Sequence, residues 1–367
     1  MRAIITGGGT GGHVFPALAI ADKIVEMDPG SEILYIGHED SMEGELAPKH
    51  GYRFEKVSAM WLEKNPIGMV KMGFSIMKGI AESRRLIREF KPDCVIGTGG
   101  FVCFPVIVAA HREKIACYIH EQNAFPGAAN RTLERFSDNV FLAYPEATSY
   151  FKQPQKHIYT GNPVRKEFFL LDREESRKKL GIAPENFHIL AMGGSWGART
   201  INNIAVDILQ WIQDKPEYSC TFISGHINYE EEKEKILEKG IDTAGRGKLV
   251  GFVNDMPDQV AAADLVISRA GALTVTEINV SGKPSILIPF PEATDNHQYY
   301  NAKSIADRGG AILIEEKDLR TEDVLTVIEN YKNNPEGLAA MGEASLKCSP
   351  GDSTERIWHH IESIRHD

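Results

Sequence analysis

Short apolar runs alternate with segments of helical period through most of the chain, and glycine-rich turns join several of them. Ala3–Ile5, Glu32–Gly37, Asp93–Gly97, Ile115–His120 and Asn139–Ala143 read as strands. Between them lie helical patterns such as Phe15–Met27, with Leu18, Ile20, Ile24 and Val25 on its apolar side, and Ser41–His50. This alternation predicts an α/β fold. Parallel strands need helical crossovers, and the helices cover both faces of the sheet. The pattern pauses at Gly161-Asn162-Pro163-Val164-Arg165, passes a charged helix at Asp172–Leu180, and restarts. Strands follow at Phe187–Met192, Cys220–Ser224, Lys248–Phe252, Leu265–Ser268 and Ser285–Pro289. A chain of 367 residues suggests two domains, here two doubly wound halves each opened by a glycine turn. A cleft between such halves, facing strand C-termini, suits a nucleotide and a second substrate.

Composition narrows the class. A net charge of −10 argues against nucleic acid as a main partner. Cys94, Cys103, Cys117, Cys220 and Cys348 form no C-x-x-C pair and read as buried thiols in a reducing compartment. The N-terminus enters a strand at once, leaving no room for a secretory signal. The longest apolar run, around Phe101–Ala110, is too short to span a bilayer. The expectation is a cytosolic protein, or one that sits on a membrane without crossing it.

Several residues could carry chemistry. In Gly7-Gly8-Gly9-Thr10-Gly11-Gly12-His13, a strand-to-helix turn presents backbone N–H groups and the helix dipole to an anion. His13, at its mouth, could meet a substrate hydroxyl. Such turns also occur where nothing binds. Gly193-Gly194-Ser195-Trp196-Gly197-Ala198-Arg199 is a second turn of this kind, with Ser195 suited to a phosphate. In Ser268–Glu277 a helix begins near Ala272, so the N–H groups of Ala272, Leu273 and Thr274 point at an anion. Glu277 could accept from two vicinal ribose hydroxyls, or merely favour the helix dipole. Arg165 could reach a diphosphate, while Asn123 and Gln298 are amides able to read sugar hydroxyls. There is no Asp-x-Asp pair and no zinc spacing, so no metal or other cofactor is implied.

One segment opposes the overall acidity. From Ile67 to Lys91, Met69, Met72, Ile76, Ile80, Ile87 and Phe90 form an apolar stripe at helical spacing, preceded by Trp61. Lys71, Lys78 and Arg85 recur every seven residues, with Phe74 among them and Arg84, Arg88 and Lys91 nearby. This suits an anionic membrane surface, and equally a core-facing stripe with a solvated basic face.

Taken in order, Gly8-Gly9-Thr10-Gly11-Gly12-His13-Val14-Phe15-Pro16, His120-Glu121-Gln122-Asn123, Gly161-Asn162-Pro163-Val164-Arg165, Gly193-Gly194-Ser195-x-Gly197-Ala198-Arg199 and Gly271-Ala272-Leu273-Thr274-Val275-Thr276-Glu277 resemble the bacterial MurG family over essentially the whole chain. That family moves N-acetylglucosamine (GlcNAc) from UDP-GlcNAc to lipid I, the lipid-linked muramyl-pentapeptide, giving lipid II for peptidoglycan. The resemblance implies a GT-B fold of two Rossmann-like domains facing a deep cleft. Residues 1–163 would form the acceptor and membrane-side domain, and residues 164–352 the UDP-GlcNAc domain. The final helix, about Ser353 to Arg365, would cross back onto the first domain.

It also implies roles. Glu277 would hold the ribose, the backbone near Val253 the uracil, and Ser195, Arg165 and the Ala272–Thr274 helix start, within a donor-binding run extending through Val275 and Thr276, the diphosphate. Gln298 would contact sugar hydroxyls, with Asn123 and Thr10-Gly11-Gly12 closing over the sugar. The segment bearing Met69, Lys71, Phe74, Lys78 and Arg85 would dock on an anionic phospholipid surface at the cytoplasmic side of the cell membrane, where other cell-wall or division proteins are further candidate partners. Trp196 departs from the family's usual Gln, and His297 from a second Gln of some members. The implied chemistry is one inverting displacement by the acceptor C4 hydroxyl, with His13 as candidate base or as a substrate hydrogen-bond partner. Alternatives are a UDP-GlcNAc 2-epimerase, a non-catalytic nucleotide-binding module, and a GT-B transferase with another lipid or small-molecule acceptor.

Overall fold

The computed structural model describes residues 1–38, 40–59, 66–194 and 197–365; for residues 66–70 and 365 it describes the backbone. Trp61, Ser195 and Trp196 lie outside the described residues, as does the side chain of Met69. The chain forms two compact units, one of residues 1–164 with 350–367 and the other of residues 165–349.

The first unit runs β1 (Arg2–Thr6), α1 (Gly11–Met27), β2 (Glu32–Gly37), α2 (Met42–Lys49), β3 (Arg53–Lys56), α3 (Pro66–Phe90), β4 (Cys94–Gly97), α4 (Cys103–Arg112), β5 (Ala116–Glu121), α5 (Ala128–Leu133), β6 (Asn139–Leu142) and β7 (His157–Tyr159). Among the described residues its sheet has seven parallel strands in the order β3-β2-β1-β4-β5-β6-β7. Ala3, Ile4 and Ile5 are wholly buried, which is why β1 is a continuous apolar run rather than an alternating one. Helix α1 starts at Gly11, four residues before the expected Phe15. The glycine turn itself forms the first helical turn, and Pro16, the sixth residue of the helix, lacks the N–H that would bond Gly12 O.

The second unit runs α6 (Glu167–Leu170), α7 (Arg173–Leu180), β8 (Phe187–Met192), α8 (Arg199–Trp211), β9 (Tyr218–Ile223), α9 (Tyr229–Glu238), β10 (Gly247–Val250), α10 (Met256–Ala262), β11 (Leu265–Ser268), α11 (Ala272–Val280), β12 (Ser285–Leu287), α12 (His297–Ala306), β13 (Ile312–Leu313), α13 (Thr321–Lys332) and α14 (Pro335–Lys347). Its parallel sheet repeats the first unit's scheme, in the order β10-β9-β8-β11-β12-β13. The last helix, α15 (Ser353–Arg365), belongs to the first unit. Its Ile357, Trp358 and Ile361 are buried in the core beside Ala17, Ile20 and Ile24 of α1. All five cysteines are buried.

Candidate functional site

In both sheets the strand order reverses between the unit's first and fourth strands, at β1/β4 and at β8/β11. Crossovers there lead away in opposite directions and leave a crevice beyond the strand ends. The glycine turns fall at these two points.

In the first unit the turn after β1 meets the turn after β4. Gly8 N–H donates to Gly99 O at 3.2 Å, and Thr98 Oγ1 donates to His13 O at 2.8 Å. A Cβ on Gly100 would stand 2.2 Å from Gly8 O, and one on Gly7 1.9 Å from Thr98 Oγ1. Close approach of two backbones therefore explains part of the glycine content without a ligand. Thr10 is the N-cap of α1 and makes no side-chain cap, so the helix start stays open beside Gly11 and Gly12.

The His13 ring lies against Gly99, where a Cβ would stand 2.8 Å from His13 Cδ2. Its Nδ1 is 3.0 Å from Gly8 O and 3.4 Å from Thr10 Oγ1. A carbonyl can only accept, so Nδ1 carries the proton and Nε2 of the neutral ring carries the lone pair. That is the tautomer a base needs.

The His120–Asn123 stretch is mostly buried scaffolding. Glu121 is 1% exposed and accepts from Asn123 N, Asn123 Nδ2, Gly127 N and Asn130 Nδ2 at 2.9–3.2 Å. His120 donates Nε2–H to Gly161 O at 2.9 Å, its Nδ1 accepts from Gln122 Nε2, and burial lowers its pKa to about 4. Ser353 Oγ donates to the same Gly161 carbonyl, so β5, the segment after β7 and the start of α15 are joined at one oxygen. Asn123 stands at the rim of this network, its amide held by Glu121.

In the second unit, α11 begins after Gly271 with no side-chain cap, so Ala272, Leu273 and Thr274 keep the open N–H groups of a helix start. Val275 does not share this role. Its N–H is bonded to Gly271 O at 2.9 Å and its side chain is wholly buried in the core. The Thr276 hydroxyl donates to Ala272 O. Glu277 lies in the second turn, beyond reach of the helix-start charge, which removes the dipole explanation for it. Its half-buried setting pushes the carboxyl up to about 7, against the opposing pull of the Arg165 guanidinium. Arg165 is exposed, with its guanidinium 5.3 Å from the centre of the Phe168 ring.

Gln298 is fixed from two sides. Its Oε1 accepts from Ala270 N at 3.2 Å and from Phe290 N at 3.0 Å, which assigns the amide and leaves the NH2 as donor. Beside it, His297 Nδ1 donates to Thr294 O at 2.7 Å. Asp295 and Asn296 precede it in the left-handed region, at φ 53° and 54°. Val253 is half-buried after β10, next to exposed Phe252, which stacks on His226 at 4.5 Å.

Two acidic residues near these turns escaped the sequence reading. Glu316 accepts from Thr200 Oγ1 and pairs with Arg269, whose Nη1 also donates to Ile288 O and Pro289 O. This ties the β11 and β12 turns together. Glu43, wholly buried on α2, accepts from Gly9 N at 3.4 Å and His38 N at 3.2 Å. Nothing local marks either residue, since each is an ordinary acid near a helix start until the fold brings distant turns to it.

Helix α3 carries a third feature. Ile80, Ile87 and Phe90 of the apolar stripe are buried and Ile76 packs against the core. Phe74 and Met77 are 72% and 71% exposed, and Lys71, Lys78 and Arg85 are exposed with them. Spacings of three, four and seven place Lys71, Phe74, Lys78 and Arg85 on one face. Arg84 and Arg88 are bound to Glu113, and the exposed Lys78 lies 3.7 Å from Glu82. No helix among the described residues is long and apolar enough to cross a membrane.

Two parallel sheets of the same strand order, each with an open helix start at its switch point, define a Rossmann-like pair of the GT-B class. The Glycosyltransferase family 28 N-terminal domain matches residues 3–142 and the Glycosyltransferase family 28 C-terminal domain matches residues 188–357. The chain is 40% identical over 365 residues, 99% of each length, to the UDP-N-acetylglucosamine--N-acetylmuramyl-(pentapeptide) pyrophosphoryl-undecaprenol N-acetylglucosamine transferase of Alkaliphilus oremlandii (strain OhILAs). The enzyme of that name from Thermoanaerobacter sp. (strain X514) is 38% identical over 99% of this chain and all of its own. The crystal structure of Acinetobacter baumannii MurG matches at TM-score 0.76 with 26% identity over 99% of both chains. A UDP-GlcNAc 2-epimerase from Neisseria meningitidis bound to UDP-GlcNAc, at TM-score 0.69 and 15% identity over 99% of this chain and all of its own, shares the fold. The chain belongs to the MurG family of glycosyltransferase family 28.

Proposed function

We propose that this protein is a hexosyltransferase that moves GlcNAc from UDP-GlcNAc to the C4 hydroxyl of the muramyl sugar in lipid I, giving lipid II. The observation that carries this is the 40% identity over 99% of both chains to a transferase of that name. The geometry of each unit supports a division of labour, with residues 165–349 binding the donor and the remainder the acceptor.

On the donor side, Glu277 accepts the two ribose hydroxyls and the backbone at Val253 reads the uracil. Arg165, Ser195 and the open start of α11 neutralise the diphosphate as it leaves, without a metal. The fixed Gln298 NH2 donates to a sugar hydroxyl. On the acceptor side, Thr10, Gly11, Gly12 and Asn123 border the reacting sugar. The acceptor oxygen attacks the anomeric carbon as the bond to UDP breaks, and His13 Nε2 takes the hydroxyl proton. The face of α3 with Lys71, Phe74, Lys78 and Arg85 rests on an anionic phospholipid surface at the cytoplasmic side of the cell membrane, as a peripheral contact.

Transfer of labelled GlcNAc from UDP-GlcNAc to a short-chain lipid I analogue tests the assignment. For His13, the expected result of His13→Ala is a fall in kcat with little change in KM for the donor. A raised KM with kcat intact would assign it to substrate binding instead.

A further inference from the structure

Glu43 has no role in the mechanism above, yet it is a wholly buried carboxylate packed beneath the first glycine turn. A Cβ on Gly8 would stand 2.2 Å from its Oε1. Its partners are backbone N–H groups, His38 N on Oε1 and Gly9 N on Oε2. A carboxylate is costly to bury, and a merely structural link between β2 and this turn could be made by a neutral side chain.

The Gly9 N–H and the Gly8 C=O belong to one peptide group. The same group therefore donates to Glu43 on one side and accepts from His13 Nδ1–H on the other. We infer that Glu43 is a positioning residue for His13, acting through the Gly8–Gly9 peptide: its carboxylate holds the N–H, the carbonyl holds His13 Nδ1–H, and Nε2 is left as the proton acceptor. An anion on the N–H side polarises the amide and makes its oxygen a stronger acceptor. A carboxylate bonded directly to a histidine fixes tautomer and orientation in the same manner, and here one peptide group stands between the two. When the acceptor hydroxyl gives its proton to Nε2, the imidazolium keeps its Nδ1–H, so no proton crosses the peptide.

Gly9, at φ 85°, gives the turn the left-handed step that aims its N–H at α2. The other titratable groups near the turn are few among the described residues. Tyr35 donates its hydroxyl to Gly7 O at 2.6 Å, with burial holding its ionisation well above the usual range. Burial pushes the Cys103 thiol up to about 12. His38 follows β2 and meets Glu43 through its backbone N–H.

This inference rests on the reading of His13 as the base, and two independent readouts separate their failures. Nitrogen-15 NMR of the full-length protein, with His13→Ala to assign the signal, reads the tautomer without any assay of transfer. The expected form is Nδ1–H in the unsubstituted protein. An Nε2–H ring would overturn the inference, and this arm needs no variant at Glu43 that must fold.

The second readout is kcat against pH. Glu43→Gln should lower kcat about tenfold, short of the ~10²–10⁴-fold that loss of a general base costs, with KM for UDP-GlcNAc unchanged. The acid limb should move to lower pH, because His13 loses the anion that makes it more basic. In a His13→Ala background, Glu43→Gln should change kcat no further. Multiplicative losses would make Glu43 merely structural and overturn the inference. If His13→Ala leaves kcat intact, the base reading falls, and the tautomer alone decides whether Glu43 positions the ring.

Discussion

Glu277→Gln should stabilise the unliganded protein at pH 8 while weakening its hold on UDP. The carboxyl rises from its ordinary 4.5 to about 7 because burial on α11 outweighs the attraction of Arg165. That difference corresponds to about 3 kcal/mol of preference for the protonated form, at ~1.4 kcal/mol per unit. The side chain keeps some contact with solvent, which screens it, so about 1–2 kcal/mol is the expected effect. Between pH 4.5 and 7 the folded protein holds a proton that the unfolded chain has released. Stability therefore falls as pH rises through this window and stays lower above it. Gln carries no charge to desolvate, so the variant should match the unsubstituted protein near pH 4.5 and melt ~2–8 °C higher at pH 8.

UDP should reverse the order. Its ribose hydroxyls need the carboxylate, so UDP affinity of the unsubstituted protein should climb toward pH 7 and level off above it. Glu277→Ala should lose about 10²-fold in UDP affinity, from two hydrogen bonds to a charged group. Calorimetric melting at pH 4.5 and pH 8, with and without UDP, reads all of this. A variant less stable than the unsubstituted protein at pH 8, or a difference independent of pH, would refute the reasoning.

Three further outcomes follow from the geometry. Gly99→Ala places a Cβ 2.8 Å from His13 Cδ2 at φ 111°, so kcat should fall about tenfold or more while donor KM holds, as steady-state kinetics would show. Glu121→Ala removes a buried acceptor of four hydrogen bonds and should destabilise the first unit by about 3 kcal/mol, read by urea unfolding. Reversing Lys71, Lys78 and Arg85 to Glu should cut binding to phosphatidylglycerol vesicles at least ~10²-fold, at about 1 kcal/mol per basic side chain removed, and leave transfer to a detergent-soluble acceptor unchanged.

The sheet schemes were legible because both are written in apolar periodicity. Phe187–Met192 and Leu265–Ser268 are strands with the expected bounds, each wholly buried. The start of α1 was not legible, since glycines carry no helical signal and here the turn is the helix. The short strands β3 and β7 carry no fully buried residue, so their apolar runs are broken. At the site, Glu277, Arg165 and Gln298 are named as candidates through the family resemblance. The carboxylates that brace the turns are not. Glu43 reaches Gly9 across 34 residues and Glu316 reaches Thr200 across 116, distances over which sequence spacing has no period to read. In α3 the expected stripe of Ile80, Ile87 and Phe90 does face the core, while the outward exposure of Met77 beside Phe74 carried no mark in the spacing.

The most direct measurement is transfer of radiolabelled GlcNAc from UDP-GlcNAc to a water-soluble, short-chain analogue of lipid I by the purified full-length protein. The expected product is a β1,4-linked disaccharide on the lipid, formed together with an equal amount of UDP. Release of UDP-ManNAc from UDP-GlcNAc without any acceptor, and no disaccharide when the acceptor is supplied, would contradict the account.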